Sequence, residues 1–337
     1  MIRRSSVLAG AAALAFFSLS LHNLKAQQQV PAAPPADASA TDQAPSAPAP
    51  TAAPTFPKPD PANFTASFPD KDVINGFLQA SWGYDPSRVW QIQAILKTPV
   101  PDISKVVVVI GDKSGKQKPA ALQFFALADG KHIIAGEDIL PFGAHPYAEF
   151  RTELEQKADG PYRGAASKDL ELVEFADFQC PHCKEAQANM DKLAVDFPKA
   201  RIVFQNYPLA QVHPSAVKAA SYGICVTKQG GSTAFFQYAS AVFDGQEGLA
   251  SVDGATLTLN SAVTKAGLDP AKVAACADSP DVAQQVAASV KLAQDLNINQ
   301  TPTLMINGRQ VPIGGVPYET LKQIIEYQAK LDGVAGQ

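Results

Sequence analysis

Cys180 and Cys183 stand two residues apart in "CPHC", directly after the apolar run "LELVEFADFQ". A pair so spaced holds a metal, staples a loop or exchanges electrons as a dithiol. A closed zinc site needs four ligands, and no second CxxC or histidine pair follows, so a metal is the weaker reading. Pro181 suits a first helical turn, where a missing N–H costs nothing, and Ala186, Met190, Leu193 and Phe197 then share one face. Cys180 therefore sits at the positive end of a helix dipole, which favours its thiolate, and an imidazolium at His182 would favour it further. Taken alone, His182 would be an ordinary surface histidine; between these cysteines it reads as a catalytic residue. Cys183 lies one turn deeper, close to Cys180 but less exposed. That arrangement suits an attacking thiolate with a resolving partner behind it.

The elements that must hold this pair begin with "LELVEF", apolar on both faces as a central strand should be. Glu174 interrupts it, in phase with Leu170 and Leu172. A carboxylate there is costly unless protonated or partnered; the other reading is an edge strand with Glu174 in water. Much later, Pro302 precedes "TLMI", where a proline marks a strand start or special turn, and Asn307-Gly308 makes a hairpin. Between them, roughly from Leu209 to Leu296, "SAVKAASYGICV", "STAFFQYASAVF", "LNSAVTKAG" and "SPDVAQQVAASVKLAQDL" read as helices.

The rest of the chain sets the context. Its 337 residues, 46% of them apolar, suffice for two domains with real cores, and a net charge of -4 with no basic block argues against a nucleic-acid surface. Residues 1–26 carry a basic start, an uncharged apolar run from Val7 to Leu21 and "LKA" before Gln27, an export signal or an uncleaved anchor. Ser5-Ser6 after Arg3-Arg4 disfavours a twin-arginine signal. Residues 27–63 read as a disordered linker, because from Pro31 to Pro61 ten residues are Pro and ten are Ala, leaving little to pack. Residues 64–160 read as a small α+β domain with no chemistry of its own. In it "DPSRVWQIQAILK" predicts a helix with Asp85 as N-cap and Val89, Ile92, Ile95 and Leu96 on one face. "KVVVVIGDKSG", "ALQFFALADGK" and "HIIAGEDI" predict strands, and "HPYAEFRTELEQK" a short helix.

"VEFADFQCPHC", with the distant "INQTPTLMINGRQVPIGGVPYETLKQII", resembles the DsbA-like family of thioredoxin-fold disulfide oxidoreductases over residues 165–332. The resemblance implies an α/β thioredoxin fold with an inserted helical domain at about 209–296, preceded by the small α+β domain. It implies that Cys180 is the nucleophile, Cys183 its buried partner and Glu174 a buried proton-relay acid. Pro302 would be a cis-proline facing the dithiol, with Thr301 and Pro181 beside it lining the substrate groove. It implies no cofactor beyond the Cys180–Cys183 disulfide. Its partners would be unfolded or thiol-containing exported proteins and a membrane redox protein that resets the dithiol, outside the cytoplasm. Cys225 and Cys276 fall in the insertion, either as two buried thiols or as a structural disulfide, which export favours. "LQFFALADGKHIIAGEDI" is similar to the N-terminal dimerisation domain of DsbC- and DsbG-type isomerases, which implies a homodimer through residues 64–160. The expected activity is thus disulfide introduction by an exported enzyme, with isomerase or reductase as the alternative and a redox-inert holdase as a third.

Overall fold

The computed structural model describes residues 56–115 and 118–334. The export signal, and the linker up to residue 55, lie outside the described residues. The described chain forms two compact units. One comprises residues 56–70 and 87–140, the other residues 71–86 and 141–334.

The first unit is a five-stranded sheet in simple order: β1 (Arg88–Lys97), β2 (Ile103–Asp112), β3 (Ala120–Leu127), β4 (His132–Ala135) and β5 (Asp138–Pro141). Successive pairs from β1 to β4 are antiparallel. The β3–β4 turn is made by Asp129, whose carboxylate accepts the N–H groups of Lys131 and His132, and by Gly130 in the left-handed region. Here the structure corrects the sequence reading. "DPSRVWQIQAILK" is strand β1, with no helix over it, paired along its length with β2. A β-bulge at Gln93 is the reason. The register steps from Ile92–Val108 to Ala94–Val107, and the extra residue moves Ile95 into a spacing from Ile92 that imitates a helix. A single short 3-10 helix, Pro61–Asn63, accompanies the strands, so this unit is nearly all β among the described residues.

The boundary is corrected as well, because residues 64–160 are not one body. Helix α1 (Lys71–Trp82) and helix α2 (Ala148–Lys157) belong to the second unit. α1 buries Ile74, Phe77, Leu78 and Trp82, with the Phe77 ring 5.1 Å from that of Phe142. The buried Arg309 guanidinium donates to the carbonyls of Ala80 (3.0 Å) and Ser81 (2.5 Å), filling the unsatisfied C-terminal end of α1 with a cation. α2 places Leu154 in the core against Val173 and Phe175.

The second unit has the thioredoxin arrangement. Its strands are β6 (Tyr162–Gly164), β7 (Glu171–Ala176), β8 (Arg201–Asn206), β9 (Thr303–Ile306) and β10 (Arg309–Pro312), in the order β10-β9-β7-β8-β6. β7 is central, parallel to β8 and antiparallel to β9, and all six of its residues are buried. α3 (Pro181–Asp196) and α8 (Tyr318–Leu331) share a core with Leu172, Leu304 and Ile306 on one face. The other face carries α2 and α7 (Pro280–Asp295) over Val173, Phe175 and Met305.

The helical insertion lies between β8 and β9. It consists of α4 (Ala216–Asp244), α5 (Val252–Lys265), α6 (Pro270–Ala277) and α7. Gly231, at φ 71°, breaks α4 into the two helices that the sequence suggests. Cys225 on α4 and Cys276 on α6 are joined in a disulfide with an S–S length of 2.02 Å.

Candidate active site

The chain leaves β7 at Ala176 and turns through Asp177–Cys180 into α3. Cys180 is the N-cap residue in extended conformation, Pro181 occupies the first turn, and the Cys180 carbonyl accepts from Cys183 (3.1 Å) and Lys184 (3.3 Å). Both cysteines are free thiols here. Cys183 is wholly buried, whereas Cys180 retains 5% of its surface.

Their environments drive the two thiols apart. Cys180 is lowered to about 5, chiefly by the hydrogen bond from the Cys183 thiol. Burial opposes this, and the Thr301 side chain and the backbone N–H groups of Cys183 and His182 add to it. The Thr301 hydroxyl is buried without any other partner among the described residues. The Cys180 sulfur is also 3.6 Å from the Thr301 carbonyl, within sulfur hydrogen-bond range. Cys183 is pushed far up, first by burial and then by its bond to Cys180. The attacking role therefore falls to one sulfur.

Glu174, in mid-β7, is 3% exposed, and burial raises it to about 7. Gln187 on α3 opposes that rise by donating to a Glu174 oxygen (2.9 Å), and the same amide donates to the Cys183 carbonyl (3.2 Å). The edge-strand alternative is thereby removed: β7 has β8 on one side and β9 on the other. The Thr301–Pro302 peptide is cis, placing Pro302 at the start of β9.

His182 faces solvent beside the pair. Its side chain is 66% exposed and meets Glu185 at 3.0 Å, and that hydrogen bond is the first cause of its raised pKa, with attraction to Cys180 the last. Its clear service to the thiolate is its backbone N–H. Cys225 and Cys276 are in the insertion and share a core with both active-site cysteines. Among the described residues, no group of three or more His, Cys, Asp or Glu side chains is placed to hold a metal.

Several residues at the site were not legible beforehand. Phe178, two before Cys180, is 1% exposed and packs its ring against Phe204 (5.1 Å), Phe243 (5.3 Å) and Tyr238 (5.5 Å). Each such aromatic pair adds about 0.5–1.5 kcal/mol beyond area burial, so the turn is anchored in the insertion. Gln246 donates to the carbonyls of Phe178 (2.8 Å) and Cys180 (2.9 Å), and Gln179 donates to Leu249 while accepting from Ser215 N–H. Asp177 accepts from Leu209 N–H and from His213. Only Asp177 had a local signal, since an Asp two residues before Gln179 is placed for an Asx-turn.

A thioredoxin family model matches residues 156–327, just over half of the chain. The chain belongs to the thioredoxin family. Two thiols held this close and displaced in opposite directions are able to undergo thiol–disulfide exchange. Among curated relatives, a Na(+)/H(+) antiporter NhaA 3 of Salinispora tropica is 30% identical over 148 residues, 44% of this chain and 22% of that protein. An NhaA 1 antiporter of Mycolicibacterium vanbaalenii is 30% identical over 149 residues, 43% of this chain and 23% of that protein. The chain thus spans about a fifth of the length of these relatives. Among solved structures, a thioredoxin-like oxidoreductase from Silicibacter pomeroyi aligns at TM-score 0.46 with 26% identity, covering 53% of this chain and 98% of that one. BdbD from Bacillus subtilis aligns at 0.43 with 23% identity, covering 51% and 93%. The thiol-disulfide exchange protein alpha-DsbA2 from Wolbachia pipientis aligns at 0.45 with 21% identity, covering 53% and 95%.

Proposed function

We propose that the protein introduces disulfides into unfolded exported proteins. The observation that carries this is the opposite displacement of the two thiols, with Cys180 lowered to about 5 and Cys183 raised. A substrate thiolate attacks Cys180 of the oxidised pair, breaking the Cys180–Cys183 bond and forming a mixed disulfide. The electron pair leaves on Cys183, whose high proton affinity draws a proton from Glu174, poised near neutrality. A second substrate thiolate then attacks the substrate sulfur, and Cys180 departs as a stable thiolate, a good leaving group. The substrate has lost two electrons and the dithiol has gained them, so an external oxidant of the membrane-redox class must reset it. Thr301 and Pro181 border Cys180 and, with the cis-proline Pro302, form the groove for the substrate backbone.

The Cys225–Cys276 disulfide supports a place outside the cytoplasm, since structural disulfides persist in oxidising compartments. No described helix is long and apolar enough to cross a membrane. The antiport of the curated relatives is not carried over to this chain.

Oxidised protein mixed with a reduced, unfolded substrate should yield substrate disulfides in one stoichiometric burst. Mixed with a substrate that already carries a disulfide, Cys183→Ser should be trapped as a mixed disulfide at Cys180, the other substrate sulfur leaving as a thiolate, and Cys180→Ser should trap none. No burst, or a mixed disulfide trapped on Cys183 in Cys180→Ser, would sink the proposal. Disulfide isomerisation is the second reading, favoured by a separate five-stranded unit without a cysteine, which could pair two copies. Equal refolding of a scrambled substrate by the chain lacking residues 87–140 would remove it.

A further inference from the structure

Among the described residues, Asp177 is bonded both to the dithiol and to the start of the helical insertion. Through its main chain it touches both cysteines: its N–H lies 3.4 Å from the Cys183 sulfur, and its carbonyl accepts from Cys180 N–H at 3.1 Å. Its side chain is wholly buried. One oxygen accepts from Gln179 N–H (2.7 Å), and the other accepts from Leu209 N–H and His213 Nδ1, both at 2.8 Å. A buried carboxylate is tolerated only when its lone pairs are filled. Among the described residues, His213 is the only side chain that fills one. His213 lies 36 residues along the chain, where β8 gives way to the insertion.

We propose that Asp177 and His213 form a positioning pair through which the helical insertion sets the redox poise of the Cys180–Cys183 dithiol. Neither side chain touches the reacting sulfurs. His213 holds the Asp177 carboxylate, the carboxylate holds the turn, and the turn holds the main-chain groups bonded to Cys180 and Cys183. The imidazole must carry its proton on Nδ1, because a carboxylate only accepts. An asparagine at 213 places an amide donor near the Nδ1 position, whereas alanine removes the donor.

The inference rests on the thiol–disulfide reading of the dithiol, and one experiment separates the two. The full exported chain is equilibrated with glutathione buffers, and the oxidised fraction is read by alkylation and mass. Wild type that never exchanges with glutathione disulfide would defeat the underlying reading. Given exchange, His213→Ala should favour the oxidised protein by about fivefold to tenfold, where tenfold is about 30 mV for a two-electron couple. Its Cys180 alkylation midpoint should move to higher pH, because the thiolate loses prearranged donors. His213→Asn should restore both. A merely structural bond would lower the unfolding midpoint and leave the equilibrium with glutathione unmoved, and that result in folded His213→Ala would overturn the proposal. If His213→Ala does not fold, His213→Asn is compared with His213→Gln, whose donor lies one carbon farther out. Asn matching wild type while Gln departs supports the pair; the two behaving alike overturns it.

Discussion

The depressed Cys180 thiol makes a quantitative claim about folding. In the reduced protein Cys180 titrates near 5 against an ordinary 9, so the unfolded chain holds a proton at neutral pH that the native state has lost. Stability then rises with pH relative to a form that lacks this titration, at about 1.4 kcal/mol per pH unit across that interval. The oxidised protein is that form, since a disulfide has no thiol to ionise. Two units above the native pKa, near neutrality, the reduced form should have gained about 2.7 kcal/mol on the oxidised one. Cys180 borders solvent at the mouth of the site, and screening trims the gain to about 1–2 kcal/mol. The stabilisation is present in full above the unfolded pKa and disappears as pH falls through about 5.

The assay is urea unfolding of both redox forms at matched pH from about 4.5 to about 8, reading the difference between their unfolding free energies. The entropy of the cross-link shifts that difference by a constant and leaves its slope alone. Glu174 titrates in both forms and largely cancels. A difference that stays flat across the range, or that moves against the reduced form as pH rises, would refute the reasoning that places a thiolate at Cys180.

Glu174→Gln keeps the bond from Gln187 and removes the cost of a buried charge, so it should exceed wild type by about 2 kcal/mol in urea unfolding near pH 8 and equal it near pH 4. The wild-type carboxylate is raised to about 7, and its penalty accrues as pH climbs towards that value. The same variant should slow release of Cys183 in single-turnover oxidation, having no proton to give. Replacing Cys225 and Cys276 together with Ala should cost roughly 2–4 kcal/mol in the same unfolding assay and leave the Cys180 alkylation rate unchanged. His182→Ala retains the backbone N–H that faces the sulfur, so alkylation near neutral pH should slow by less than about threefold, as expected for an exposed charge. A tenfold drop would return the imidazole to the mechanism.

What could be read from the sequence was whatever the chemistry holds within one short stretch. The roles of Cys180, Pro181 and Cys183 follow from helix-start geometry, and Glu174 stands out because a carboxylate interrupts an apolar strand. Phe178, Gln246 and His213 could not be read, because each matters only once the insertion folds back over the turn. His213 meets Asp177 across 36 residues, and Gln246 meets Cys180 across 66. β1 was misread because one bulged residue, Gln93, rephases its apolar side chains. The domain boundary was misplaced for a similar reason. α1 is separated from the rest of its unit by the whole five-stranded sheet, and the Arg309 bonds that tie it down span 228 and 229 residues.

The two buried carboxylates beside the dithiol show how packing assigns different work to similar groups. Asp177 receives three donors, two of them from the insertion, and so serves as a fixed anchor. Glu174, among the described residues, receives one, from Gln187, and burial outweighs it. A carboxylate left short of donors in an apolar strand is held near the point of protonation, which is what the proposed transfer of a proton to Cys183 and back requires. Adding donors to Glu174 would make it a second anchor and a poor relay. Gln187 donates to Glu174 and to the Cys183 carbonyl together, so the acid is kept in register with the sulfur it serves. Gln187→Leu should therefore raise Glu174 further and slow the step in which Cys183 gives up its proton during reduction of a mixed disulfide. The measurement is the pH midpoint of resolution of a Cys180 mixed disulfide by stopped flow. An unchanged midpoint would separate Gln187 from the relay.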